Sequence, residues 1–144
     1  MSTVEYKLLS VILCDDIRNE MNAKQTLIGI YDDAILAQSF PLLMPKLCMR
    51  IAITLLAKRK PKKLRVLVSS PQSKVIDVDT EFPSTQLPET GSKTFAIPLQ
   101  ISPFVVASPT DFVIKLGFDQ PAKKIGQFAV RAAKNEAEKK RFVT

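Results

Sequence analysis

The chain has 144 residues, 46% hydrophobic and 24% charged, with a formal net charge of +7, no histidine and two cysteines, a size that suits one domain burying roughly two thirds of its unfolded surface. The missing histidine excludes a Ser-His-Asp triad, a Cys-His dyad, His-ligated zinc and an imidazole base, and two cysteines cannot make a four-thiolate zinc site in one chain. The glycines, at 29, 91, 117 and 126, form no phosphate-binding loop.

Residues 1–7 lead into the first apolar run with Glu5 nearby and no small-residue cleavage pattern after it, so no signal peptide is read and a cytoplasmic location is the expectation. The longest apolar stretches fall short of the roughly 20 residues that span a bilayer. Lys7 to Cys14 is apolar on both faces, which predicts a central strand covered on each side, with Gln25 to Tyr31 as its core partner. The polar segment from Asp15 to Lys24 reads as a loop or one helical turn. Asp15 and Asp16 follow the first strand, and Asp32 and Asp33 follow the second. Calcium takes six to eight oxygens in a flexible cage, whereas acids in turns ordinarily satisfy backbone groups or face solvent. These four are therefore weak metal candidates, and no metal or cofactor is expected.

The next segment, from Gln38 to Pro45, holds Phe40, Leu42, Leu43 and Met44. This apolar loop is either a protein-contact element or a plug over the open end of the core. From Leu47 to Leu56 the alternation is clear: Leu47, Met49, Ile51, Ile53 and Leu55 share one face, and Cys48, Arg50, Ala52 and Thr54 the other. Cys14 and Cys48 sit in apolar strand patterns, where a thiol packs as a small hydrophobe; their spacing does not say whether they meet. Leu64, Val66 and Val68 repeat the alternation beyond a turn containing Pro61, so the two segments read as a hairpin.

Ile76 and Val78 make a short strand with Asp77 and Asp79 on its other face, and the stretch from Glu81 to Ser92 is a loop rich in turn formers. Phe95, Ile97, Leu99 and Ile101 follow; Pro98 among them argues for an edge or a bulge because proline removes a ladder donor. Phe112, Ile114, Leu116 and Phe118, then Gly126, Phe128 and Val130, complete about eight strands. Ten prolines spread from Pro41 to Pro121 punctuate them. The expected fold is all-β, a two-layer antiparallel β-sandwich of immunoglobulin-like or C2-like appearance, in a single domain over residues 1–144. Residues 132–144 are expected to form a basic tail or a short C-terminal helix.

The charge is local. Ala57 to Arg65 holds six cations and no acid, Pro121 to Thr144 holds seven cations and two acids, and the remainder is net acidic. Lys58, Arg59, Lys60, Lys62 and Lys63, helped by Lys123, Lys124 and the tail, are thus anion-binding candidates, although lysine-rich turns also keep sandwiches soluble. The absence of tryptophan and the scarcity of aromatics near these lysines give little support to base stacking.

The segments Ile12 to Glu20 (ILCDDIRNE), Leu27 to Tyr31 (LIGIY) and Phe40 to Leu47 (FPLLMPKL) resemble a family of small bacterial and prophage proteins classified only as a domain of unknown function. The resemblance covers about the first 50 residues. It implies a small cytoplasmic single-domain protein and supplies no catalytic residues. The functional expectation is a non-enzymatic protein-interaction module that binds a partner, or a second copy of itself, through a sheet edge or end loops. The alternatives are anion or nucleic-acid binding through the basic segments and, last, a carboxylate- or metal-dependent enzyme. The first two divide on whether the two basic segments form one patch.

Overall fold

The computed structural model describes residues 4–56, 60–82 and 93–134. Strict alternation makes β5 (Leu47–Leu55) the centre of one sheet: Leu47, Met49, Ile51, Ile53 and Leu55 are all buried to within 1% exposure. It lies between β1 (Tyr6–Asn19) and β8 (Lys93–Ile101), and β2 (Gln25–Tyr31) closes the sheet beyond β1, in the order β2-β1-β5-β8, antiparallel throughout. The second sheet is built around β10 (Thr110–Phe118), whose Phe112, Ile114, Leu116 and Phe118 face the core. Its order is β3-β11-β10-β6-β7, with β3 (Ala34–Ala37), β6 (Lys63–Ser69), β7 (Lys74–Glu81) and β11 (Lys123–Ala132). A third, two-stranded ribbon pairs β4 (Leu42–Met44) with β9 (Phe104–Val106).

Side chains from both sheets merge into one hydrophobic cluster, which is the core of a sandwich. Phe118 marks the join. Its ring meets Tyr6 of β1 at 5.5 Å and Phe95 of β8 at 6.4 Å, both edge-on, and Phe82 after β7 at 5.6 Å. At the other end of β10, Phe112 stacks on Phe128 of β11 at 5.1 Å and meets Phe104 of the ribbon at 5.5 Å.

The expected all-β sandwich is therefore observed, with corrections. There are eleven strands among the described residues where about eight were expected, because β3, β4 and β9 are only three or four residues long and carry too few alternations to register. Pairing is not antiparallel throughout: β3 runs parallel to β11. The segments around residues 47–55 and 63–69 are not a hairpin, since β5 lies in one sheet and β6 in the other, so the basic connection between them is an arch from one sheet to the other, of which residues 57–59 lie outside the described residues. The apolar segment from Gln38 to Pro45 is not a loop, because three of its residues form β4. Pro98 does lie on an edge strand, registered with Arg50. No helix occurs among the described residues; of the segment 132–144, expected as a basic tail or short helix, Ala132 ends β11 and residues 135–144 lie outside the described residues.

The N-terminal strand also departs from expectation. Asp15 to Asn19 is not loop or helical turn but the second half of β1, paired with β2, and β2 is a largely exposed edge strand. Nor does this hairpin run straight on. Arg50 is registered with Ile12, and Gln25 with Asn19. Seven residues of straight strand would hold those positions roughly 23 Å apart, yet Arg50 Nε donates to Gln25 Oε1 at 2.7 Å. The strand consequently bends enough for Gln25 to reach Arg50. Cys14, Cys48 and Ala52 are buried although alternation points them away from the core.

Candidate anion-binding surface

The arch between the sheets delivers Lys60, half-buried, then buried Pro61, then exposed Lys62 and Lys63 at the start of β6. Their backbone is held by Asp119, at the end of β10. The Asp119 carboxylate accepts from the N–H groups of Lys62 at 2.8 Å and Lys63 at 2.7 Å, and its own N–H donates to the Lys63 carbonyl at 3.1 Å. Phe82 N–H donates to the Lys62 carbonyl at 2.8 Å. Asp119 adopts the left-handed conformation, φ 59°, that an aspartate tolerates better than most residues. The chain then turns directly into exposed Lys123 and Lys124 of β11. Asp119 thus joins the two basic segments at one end of the second sheet.

The turn is folded tightly over Gly117. A Cβ there would stand 2.6 Å from the Gln120 carbonyl oxygen and 3.0 Å from Ala122 backbone atoms, so only glycine lets the turn pass. Removing the Asp119 side chain should loosen this junction. Asp119→Ala strips an acceptor from two N–H groups and is expected to cost about 1 kcal/mol, read by urea denaturation, and to speed amide exchange at Lys62 and Lys63 selectively.

Neighbouring acids neutralise only part of the charge. On β7, Glu81 is registered with Lys63 and Asp79 with Arg65, and Asp77 lies 3.5 Å from Arg65 and 3.8 Å from Lys74. On the other flank, Lys124 is registered directly with Lys115 of β10. Like charges directly opposite one another are destabilising in a sheet, and an anion seated between them would reverse the sign of that interaction. Sequence reasoning missed both Lys115 and Asp119. The alternation of β10 marks Lys115 as outward-facing, but only the register sets it beside Lys124.

Lys58 and Arg59 lie outside the described residues. The tail expected to assist starts elsewhere: β11 carries the chain to the opposite end of the sheet, so Arg131 stands roughly 25 Å along the strand from Lys123.

The other candidate residues occupy separate places. Phe40, Leu42 and Met44 pack half-buried against the core, while Leu43 points out at 67% exposure beside its partner Val105 at 51%. Asp15 accepts from the Tyr31 hydroxyl at 2.5 Å, and Gly29, at φ +69°, leaves the space its carboxylate fills. Burial first, and then the Asp15 bond, pushes the Tyr31 phenol far above its usual range. Asp16 accepts from Lys46 Nζ at 2.6 Å and pairs with Arg18 Nε at 3.4 Å, and the Lys46 hydrogen bond holds its carboxyl below the ordinary value. Asp32 and Asp33 are exposed at the β2–β3 connection. Among the described residues no three histidine, cysteine or acidic side chains are grouped to hold a metal ion.

The chain matches the model of a family of unknown function, DUF6941, over residues 9–131. The chain belongs to that family. The match begins within β1 and ends within β11, so it takes in both sheets and the candidate surface from Lys60 to Lys124. No curated protein matches the chain. No helix among the described residues is long and apolar enough to cross a membrane.

Proposed function

We propose that this DUF6941 domain is a non-enzymatic binding module that receives an anionic, phosphate-bearing partner on the basic end of its second sheet. The reading rests on one observation: the Asp119 carboxylate fastens the arch backbone at Lys62 and Lys63 beside the turn that carries Lys123 and Lys124. Backbone fixed in this way keeps the two basic segments at one end of the second sheet, and a polyanion gains affinity by releasing counterions as it meets their ammonium groups. The cytoplasmic location and bacterial or prophage origin belong to the same proposal, supported by the resemblance of the first 50 residues.

Fluorescence anisotropy with a labelled oligonucleotide tests it. Four phosphate contacts predict an affinity loss of roughly 100- to 1,000-fold between about 50 and 300 mM salt, with little sequence preference. The combined variant Lys62→Glu, Lys63→Glu, Lys123→Glu, Lys124→Glu should bind nothing at low salt while keeping the wild-type circular dichroism spectrum. Unchanged binding by that variant sinks the proposal.

A second reading, a protein contact that includes self-association, is favoured by the exposed pair Leu43 and Val105 on the β4–β9 ribbon. It predicts a partner retained at high salt and after nuclease treatment. Of the candidate carboxylates, Asp15 accepts from Tyr31 and Asp16 from Lys46, side chains of the protein itself.

A further inference from the structure

Thirty-three residues separate Cys14 from Cys48 in the chain, yet they are direct register partners across β1 and β5. Residues directly opposite one another in an antiparallel pair have Cα atoms about 4.5–5.5 Å apart, inside the roughly 4.4–6.8 Å that a disulfide spans. Partners in register also share a face of the sheet, here the outward one. Both thiols are free, and both are buried. No catalytic or anion-binding role described above uses them.

We propose that Cys14 and Cys48 are a redox-modifiable pair that closes into a cross-strand disulfide when the chain meets a low-molecular-weight disulfide such as oxidised glutathione. One thiolate attacks the small disulfide, forming a mixed disulfide and expelling one small thiolate. The second protein thiolate then attacks the protein sulfur of that mixed disulfide and expels the other. The net change is two protein thiols oxidised to one disulfide, with one small disulfide reduced to two small thiols and the two protons accounted for on them. Burial, with the neighbouring Cys48, pushes the Cys14 thiol up, which slows attack by Cys14. Both thiols are buried, so the exchange requires, and reports, a local opening of the sheet around them.

The disulfide would tie β1 to β5 at the base of the bent hairpin and close a loop containing β2, β3 and β4. Closing a loop of this length is expected to raise Tm by roughly 10 °C. The test is incubation of the reduced, folded protein with oxidised glutathione without denaturant, followed by maleimide labelling, intact mass and peptide mapping. The expected product is a monomer lacking two hydrogens, inert to maleimide, with Cys14 linked to Cys48 and the higher Tm. Cys14→Ser and Cys48→Ser should each stop at a single glutathione adduct. Thiols that remain free, a wild-type glutathione adduct that never closes, or a disulfide between two chains would each overturn the proposal. The wild-type result stands even if either serine variant fails to fold.

Discussion

Phe118→Ala is expected to lower the stability of the domain by about 3–5 kcal/mol, the range for emptying a fully buried phenylalanine site. Phe118 is 0% exposed, and its ring is the meeting point of Tyr6, Phe82 and Phe95, which reach it from β1, the end of β7 and β8. Alanine removes the transfer free energy of the ring and three edge contacts, and leaves a cavity that side chains on separate strands cannot jointly refill. Urea denaturation should show a lower midpoint with an unchanged slope, the sign of lost native stability rather than an altered unfolded state. A loss under about 1 kcal/mol would mean the two sheets do not close on this residue. Because Phe118 immediately precedes Asp119, the variant should also weaken the hold on the arch.

Gly117→Ala carries the second large effect. The added methyl meets backbone, the Gln120 carbonyl oxygen at 2.6 Å and Ala122 at 3.0 Å, so no rotamer relieves it and the turn itself must move. Overpacking of this kind costs about 1–3 kcal/mol. Here it also bears on function, since displacing the turn shifts Asp119 away from Lys62 and Lys63 and separates the two basic segments. Oligonucleotide affinity should therefore fall along with stability. Gly126→Ala is the matched control. Its Cβ would meet only Ile114 Cδ1 at 3.8 Å, an ordinary contact, and stability should stay within about 0.5 kcal/mol of wild type. If both variants behave alike, the turn is not packed over Gly117 as described.

The alternating segments were legible in the sequence because strand parity is a local property: a residue's face follows from its neighbours at two-residue spacing. The core faces of β5, β6 and β10 follow directly, and so does the edge position of Pro98, which rests on a missing donor. Very short strands escaped because three residues hardly alternate. The continuation of β1 through Asp15 to Asn19 escaped because an exposed hairpin can be polar on both faces and still satisfy its backbone.

Composition excluded histidine chemistry, the order of the residues localised the positive charge, and the alternation of apolar residues determined an all-β fold. The partner of each strand was decided only in three dimensions. Whether β5 turned back onto β6 or arched over to the other sheet depended on which pairing buried both apolar faces at once, and that is a sum over the whole core. The same long-range pairing set Lys124 beside Lys115, brought Asp119 under the Lys62 and Lys63 backbone, carried Arg131 to the far end, and placed Cys14 opposite Cys48. Register couples residues tens of positions apart, and no local pattern in the chain encodes it.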